Sequence, residues 1–239
     1  MLANFYQKNI IEKPKLVFSI LLLLLITSLY FSKDFRLDAS SETLLLENDP
    51  DLNYLNEINN RYGSKEFLVL TFSPNESMIS KNSIKSLNEL KNELQNLNWI
   101  SSVITLLDIP LLNNTEESLI DRIQNFKTLN SKNIDIERGF NEILNSPVFR
   151  NFVISEDGKT SGIIVYLKQK KNDKQRKTSK ELEIFKDKAK KERHKNILEI
   201  RRIIEKHNQN NKIHLGGIPM IADDMMSFIK KDILNFGLG

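Results

Sequence analysis

The sequence predicts an α+β protein: an N-terminal transmembrane helix, then a ferredoxin-like (βαβ…βαβ) domain with a helical insert. Three observations predict it. One uncharged run, "LVFSILLLLLITSLYF" from Leu16 to Phe31, stands out from an otherwise polar chain. Downstream, short apolar runs alternate with stretches of helical periodicity, in the order β-α-β, two helices, then β-α-β with a hairpin. Finally, "GGIP" joins the last short run to a closing helical stripe.

The apolar run comes first. Sixteen helical residues extend about 24 Å, against about 30 Å of hydrocarbon. Lys15 and Lys33 can snorkel to the two interfaces, and Tyr30 and Phe31 sit where an aromatic belt belongs. Pro14 suits the first turn of a helix, where its missing N–H costs nothing. A cleaved signal peptide is the rival reading. It wants small residues just after the run, where "SLYFSKDF" places Tyr30, Phe31 and Lys33. A cut after Ser41 remains open, and a secreted domain would then start near Glu42. The spacing favours an uncleaved span over 16–33, its anchor ends Leu16 and Phe31, behind a cytoplasmic stub over 1–15. Lys8, Lys13 and Lys15 before the run, against Lys33 and Arg36 after it, slightly favour a cytoplasmic N-terminus and an exported body.

Composition narrows the function. The chain has 239 residues, 40% apolar and 28% charged, with a net charge of +4. That suits one or two domains with a buried core. It has no cysteine, which excludes disulfides, thiolate metal sites and cysteine nucleophiles. His194, His207 and His214 form no HxxxH or HxH pair, so no metal site is expected. There is no glycine-rich phosphate loop, GxSxG or HExxH, so the sequence predicts neither an enzyme nor a cofactor. Neighbouring carboxylates such as Asp223-Asp224 and Glu116-Glu117 point about 100° apart on a helix and do not converge. They are expected to be solvated or to favour a helix dipole.

The body starts with polar residues from 34, then a helix from Asp49-Pro50 with Leu52, Leu55, Ile58 and Tyr62 in phase, ending at Gly63. "EFLVLTF" (Glu66 to Phe72) reads as a strand buried on both faces. A helix capped by Ser80 or Ser83 follows, its stripe being Ile84, Leu87, Leu90, Leu94 and Leu97. Trp99 to Thr105 is the next strand. The insert, about 113–146, holds one helix from Thr115 with Leu119, Ile123 and Phe126 in phase and another from about Asn133 to Leu144. Phe152 to Ile154 and Gly162 to Leu167 read as a hairpin turned at Asp157-Gly158. A long helix spans about Thr178 to His207, with Leu182, Phe185, Ala189, Ile197, Ile200 and Ile204 in phase and Arg193 interrupting. Lys212 to Leu215 is the last strand. Gly216 and Gly217 allow a sharp turn, and Pro219 starts a helix with Ile221, Met225, Ile229, Ile233 and Phe236 in phase. Alone, that stripe describes an amphipathic helix packed on the domain.

Between Lys168 and Lys195, thirteen Lys or Arg face five Asp or Glu. Anionic lipid or nucleic acid would suit such a tract. With Phe185 the only aromatic there, stacking platforms are lacking, so a solvated helix face is expected and no nucleic-acid partner.

Both ends of the domain resemble one family. "LDASSETLLLENDPDL" after the span and "GGIPMIADDMMSFIKKDI" near the end are similar to resistance-nodulation-division (RND) exporters of the MMPL, or hydrophobe/amphiphile, type. "FLVLTFSP" and "WISSVITLLDIPLL" resemble them too. The resemblance implies a proton-driven permease of the bacterial inner membrane, with a porter domain outside the membrane between its first two spans. On that reading 34–218 is the porter-type domain, and 219–239 leads toward a second span that this sequence does not include. Implied partners are the bilayer, the rest of the transporter, a hydrophobic or lipid substrate and a further copy in a homo-oligomer. The proton-relay carboxylates would belong to other spans, since Leu16 to Phe31 has none, and this chain alone would not transport. Gly216, Gly217 and Pro219 would form the structural hinge to the next span. The alternative function is a single-span anchor displaying an extracytoplasmic binding or scaffold domain.

Overall fold

A computed structural model describes residues 11–32, 50–62, 66–112, 126–168 and 179–237. The chain divides into two compact units, Met1–Asp38 and Ala39–Gly239. The first contains helix α1, Pro14–Ser32, which has no buried residue. Among the described residues it is the one helix long and apolar enough to cross a membrane. The Thr27 hydroxyl donates to the Leu23 carbonyl at 2.7 Å, so the polar group is satisfied inside the helix.

The second unit is α+β. Helix α2 is Pro50–Tyr62, with Tyr54 and Leu55 exposed. The side chains of Leu52 and Tyr62 lie outside the described residues, as does Gly63. The strands are β1 Phe67–Pro74, β2 Ile100–Ile104, β3 Ser161–Leu167 and β4 Asn211–Gly216. They form one four-stranded sheet in the order β2-β3-β1-β4. Every neighbouring pair is antiparallel, with Leu70 opposite Ile163 on one side and Leu215 on the other. Helix α3, Lys81–Gln95, connects β1 to β2, and helix α5, Ser179–His207, connects β3 to β4.

Local chemistry explains these elements. Ser80 caps α3, its hydroxyl accepting the Ser83 N–H at 3.1 Å. Leu87, Leu90 and Leu94 recur at helical spacing and are buried, while Ile84 and Leu97 pack at the margin. After β2, a single 3-10 turn (Leu106–Asp108) is fixed by a capping box, the Asp108 carboxylate accepting the Thr105 N–H at 2.8 Å. Lys91 of α3 reaches the same carboxylate at 2.5 Å and ties the turn to the helix. Leu68, Leu70, Phe72, Ile163 and Val165 from the two central strands join Leu87, Leu90, Ile197 and Ile200 from α3 and α5 in one core. Asn211, itself buried, donates to the Ser86 hydroxyl (2.9 Å) and the His207 carbonyl (3.1 Å), joining β4 to both helices.

Three expectations change. First, β1 is buried on one face only. Leu68, Leu70 and Phe72 are inside, while the alternate residues are partly exposed. The apolar run reflects an antiparallel central strand with helices on one side, not a strand covered twice. Second, the hairpin arm over Phe152–Ile154 is no strand. Asn151 has φ +64°, and the chain coils so that the Val153 N–H bonds the Phe149 carbonyl at 2.8 Å. Only Ile154 bridges to Ser161, although Asp157-Gly158 does make the turn, with Gly158 at φ +69°. Third, the second insert helix, α4, is Ile136–Leu144 and begins late. Asn133 is left-handed (φ +60°) and Asp135 is the cap, accepting the Arg138 N–H. Arg193, which interrupts the α5 stripe, is partly exposed, with its guanidinium 3.6 Å from Glu66. The insert helix expected from Thr115, the polar segment over 34–49, the basic loop over 169–178 and the Leu182 side chain lie outside the described residues.

Glu93 of α3 takes a hydrogen bond from Lys206 of α5. That bond, helped by the nearby His207 charge and opposed by burial, holds its carboxyl below the usual carboxylate range. A depressed folded value means the contribution is complete above the unfolded pKa, about 4.3, and is lost as pH falls through the lower folded value. Glu93→Gln is therefore expected to cost at most about 1 kcal/mol at neutral pH, because the pair is partly exposed. It should leave a shallower loss of stability below about pH 4.3 than the parent shows. Urea denaturation across pH 3–7 measures this, and superimposable acid limbs would remove Glu93 from the account.

Candidate hinge at the end of the sheet

Strand β4 ends beside the central strand, Gly216 standing opposite Val69. The two predicted glycines are not equivalent. A Cβ on Gly216 would lie 3.7 Å from the Val69 carbonyl, an ordinary contact. Gly217 has φ +116°, and a Cβ there would lie 3.2 Å from both the Leu68 Cα and the Phe67 carbonyl. Only glycine fits this close approach of backbone to backbone. The Gly217 carbonyl accepts the N–H groups of Met220 and Ile221, each at 3.1 Å, and so opens helix α6.

Helix α6 is Ile218–Gly237. Pro219 is its second residue rather than its first, and it is buried. A proline in the first turn loses no hydrogen bond, because the first N–H groups have no intrahelical partner. Met220 packs against the core beside it.

Beyond that turn, α6 meets α5 through charges. Asp223 accepts from His194 Nδ1 at 3.0 Å. A carboxylate only accepts, so Nδ1 carries the proton. Asp224 takes two bonds from Arg201 Nη2, both at 2.8 Å. The Asp223 side chain is 10% exposed, against 48% for its histidine. The expectation that these two aspartates are merely solvated or dipole-stabilising is corrected: each has a partner on the preceding helix. Also corrected is the packing of α6 by its apolar stripe. Ile221, Ile233 and Phe236 are exposed, and Met225 and Ile229 are only half-buried. Sequence periodicity identifies an apolar face but does not say what it meets. The signal available was a pair of acids early in α6 and two bases two helical turns apart on α5.

An open depression beside this junction is floored by Ile204, Ile213, Leu215 and Met220, with Arg201 and His214 at its rim. The outer edge of β4 is partly closed, because Asn208 Oδ1 accepts the Ile213 N–H at 2.8 Å. This blunts an edge that would otherwise pair with another strand. Among the described residues, no group of three or more His, Asp or Glu side chains is placed to hold a metal ion.

The predicted anchor ends belong to the other unit. Leu16 and Phe31 lie on α1, 51% and 67% exposed. Phe31 meets Tyr30 edge to face, ring centroids 5.6 Å apart. No protein-family model matches the chain, and no curated protein matches it either.

Proposed function

We propose that the chain is the first span and the porter-type domain of a proton-driven RND exporter of the MMPL type. In this reading α1 spans the bacterial inner membrane, with its N-terminus in the cytoplasm. The ferredoxin-like second unit forms one wall of a path for hydrophobic or amphiphilic compounds, lipids among them, outside the membrane.

The observation that supports the reading is the four-stranded antiparallel sheet in the order β2-β3-β1-β4, with α3 and α5 as its helical connections, an arrangement compatible with a ferredoxin-like split sheet. An apolar helix precedes that unit in the chain, and helix α6 follows its last strand through a glycine turn. The stretches "LDASSETLLLENDPDL" and "GGIPMIADDMMSFIKKDI" occupy those two junctions and resemble the family there. No Asp, Glu, Lys, Arg or His lies between Leu16 and Phe31, so the proton relay belongs to other spans of the exporter. The role of this chain is mechanical: domain movement opens and closes the path, and the Gly217 turn hands that movement to the next span.

Cells carrying the gene in its native setting and cells with it deleted should differ in retention of a hydrophobic fluorescent dye. Deletion is expected to raise retention, and a protonophore should erase the difference. Equal retention, before and after the protonophore, would count against export.

A further inference from the structure

An amphipathic helix at the margin of a domain ordinarily buries its apolar stripe. Helix α6 does so only in part, with Met225, Met226 and Ile229 partly buried. Asp223 and Asp224 face α5, while Ile218, Ile221 and Phe228 are 64%, 50% and 64% exposed. At 3.6 residues per turn, the two aspartates lie about 140° and 240° around the helix from Ile218. Past Phe228, every residue from Lys230 to Gly237 is exposed. Beyond its first turn, α6 is held by the two carboxylate pairs together with the partly buried Met225, Met226 and Ile229.

The geometry of the two pairs fixes a direction. His194 and Arg201 are seven residues apart on α5, about 10 Å along its axis. Their partners are adjacent on α6. Two attachment points separated along one helix hold the angle of the other, not only its distance. The two bases stand at the surface, His194 being 48% and Arg201 43% exposed on their side chains, while Asp223 is 10% and Asp224 31% exposed. An ion pair as exposed as Arg201–Asp224 is weak and is screened by salt. The fulcrum is firm by contrast, because Pro219 is buried and Met220 packs on the core next to Gly217, whose backbone lies close against β1.

We propose that α6 is a releasable lever, latched to α5 by His194–Asp223 and Arg201–Asp224 and able to swing about its buried first turn. This goes beyond the exporter reading and does not depend on it. The latch sets the direction in which α6 leaves the domain, whatever follows.

The chain has no native cysteine, so a single labelled pair is clean. Spin labels at Arg202 and Lys231, both exposed, report the angle between α5 and α6 in the full chain in detergent. At low salt one narrow distance is expected. In Asp223→Asn/Asp224→Asn, the ratio of latched to displaced molecules should fall about three- to thirtyfold. Salt near 1 M should move the parent the same way, since the screening length shrinks to about 3 Å. Exchanging the charges, Arg201→Asp with Asp224→Arg, should restore much of the narrow distance. A urea transition recorded on each variant reports the sheet. A distance unchanged in the double asparagine variant would overturn the lever. So would a sheet that unfolds along with it, because the pairs would then be part of the core and not a latch.

Discussion

Gly217→Val is expected to destabilise the sheet domain by on the order of 3 kcal/mol or more, through two independent costs. The first is conformational. A φ of +116° lies outside even the small left-handed region that side chains tolerate, and a β-branched residue is the least able to adopt it. The second is steric. The added Cβ would approach the Leu68 Cα and the Phe67 carbonyl to 3.2 Å, and both are backbone atoms of β1. β1 is hydrogen-bonded on both edges, to β3 and β4, so it cannot step aside without loosening the ladder. Gly216→Ala is the control. Its Cβ meets nothing closer than 3.7 Å, and its φ is not in the positive range, so a loss of about 1 kcal/mol or less is expected. Urea unfolding followed by far-ultraviolet circular dichroism separates the two. Equal midpoints for parent and valine variant would mean that Gly217 is no constraint. If the proposed exporter reading holds, the same valine in the full-length exporter should abolish dye efflux while leaving membrane insertion of α1 intact.

These two glycines illustrate what a sequence gives locally and what it withholds. "GGIP" predicts a turn against a neighbour, but the neighbour, and so which glycine matters, follows from register: Gly216 opposite Val69, with the next residue against Leu68. Helix α3 was legible because its cap and stripe are local: Ser80 lies just before the first turn, and Leu87, Leu90 and Leu94 follow in phase. The extent of burial on β1 was not, because a run such as "FLVLTF" is compatible with one covered face or two, and only the placement of α3 and α5 decides. The docking face of α6 was hidden for a deeper reason. Apolar periodicity identifies the stripe Ile221, Met225, Ile229, and experience assigns such stripes to cores. Here the carboxylates share in the docking, which requires knowing that His194 and Arg201 stand opposite them. Asn151 misled in a smaller way. Its left-handed conformation ends an extended stretch that the apolar pattern of Phe152 to Ile154 would have continued.

Leu22→Arg/Leu23→Arg is expected to release the chain from the membrane, and this is the largest effect predicted for any change in α1. The helix is 19 residues long, about 28 Å by its rise, close to the roughly 30 Å of hydrocarbon it would have to cross. Such a span has little length to spare, so it cannot slide a central charge to either interface. Each arginine near the middle costs about 2.5–3.5 kcal/mol for insertion, while each lost leucine forfeits about 0.3–0.6 kcal/mol. The two arginines, about 5–7 kcal/mol together, outweigh the roughly 3–6 kcal/mol that the remaining Leu, Ile, Val and Phe side chains supply at the same rate per residue. The parent should stay in membranes washed with alkaline carbonate, and the double variant should appear in the soluble fraction. Cysteine labelling from outside intact cells adds the orientation: Asn75→Cys should react in the parent and Asn4→Cys should not. In the double variant, Asn75→Cys should lose its reaction, because a domain that never engages the membrane is not exported. A cleaved signal sequence would behave differently from a span in one decisive respect. The mature parent would start near Glu42, wash out in carbonate and carry no α1 at all, so sequencing its first residues distinguishes an anchor from a leader before any variant is made.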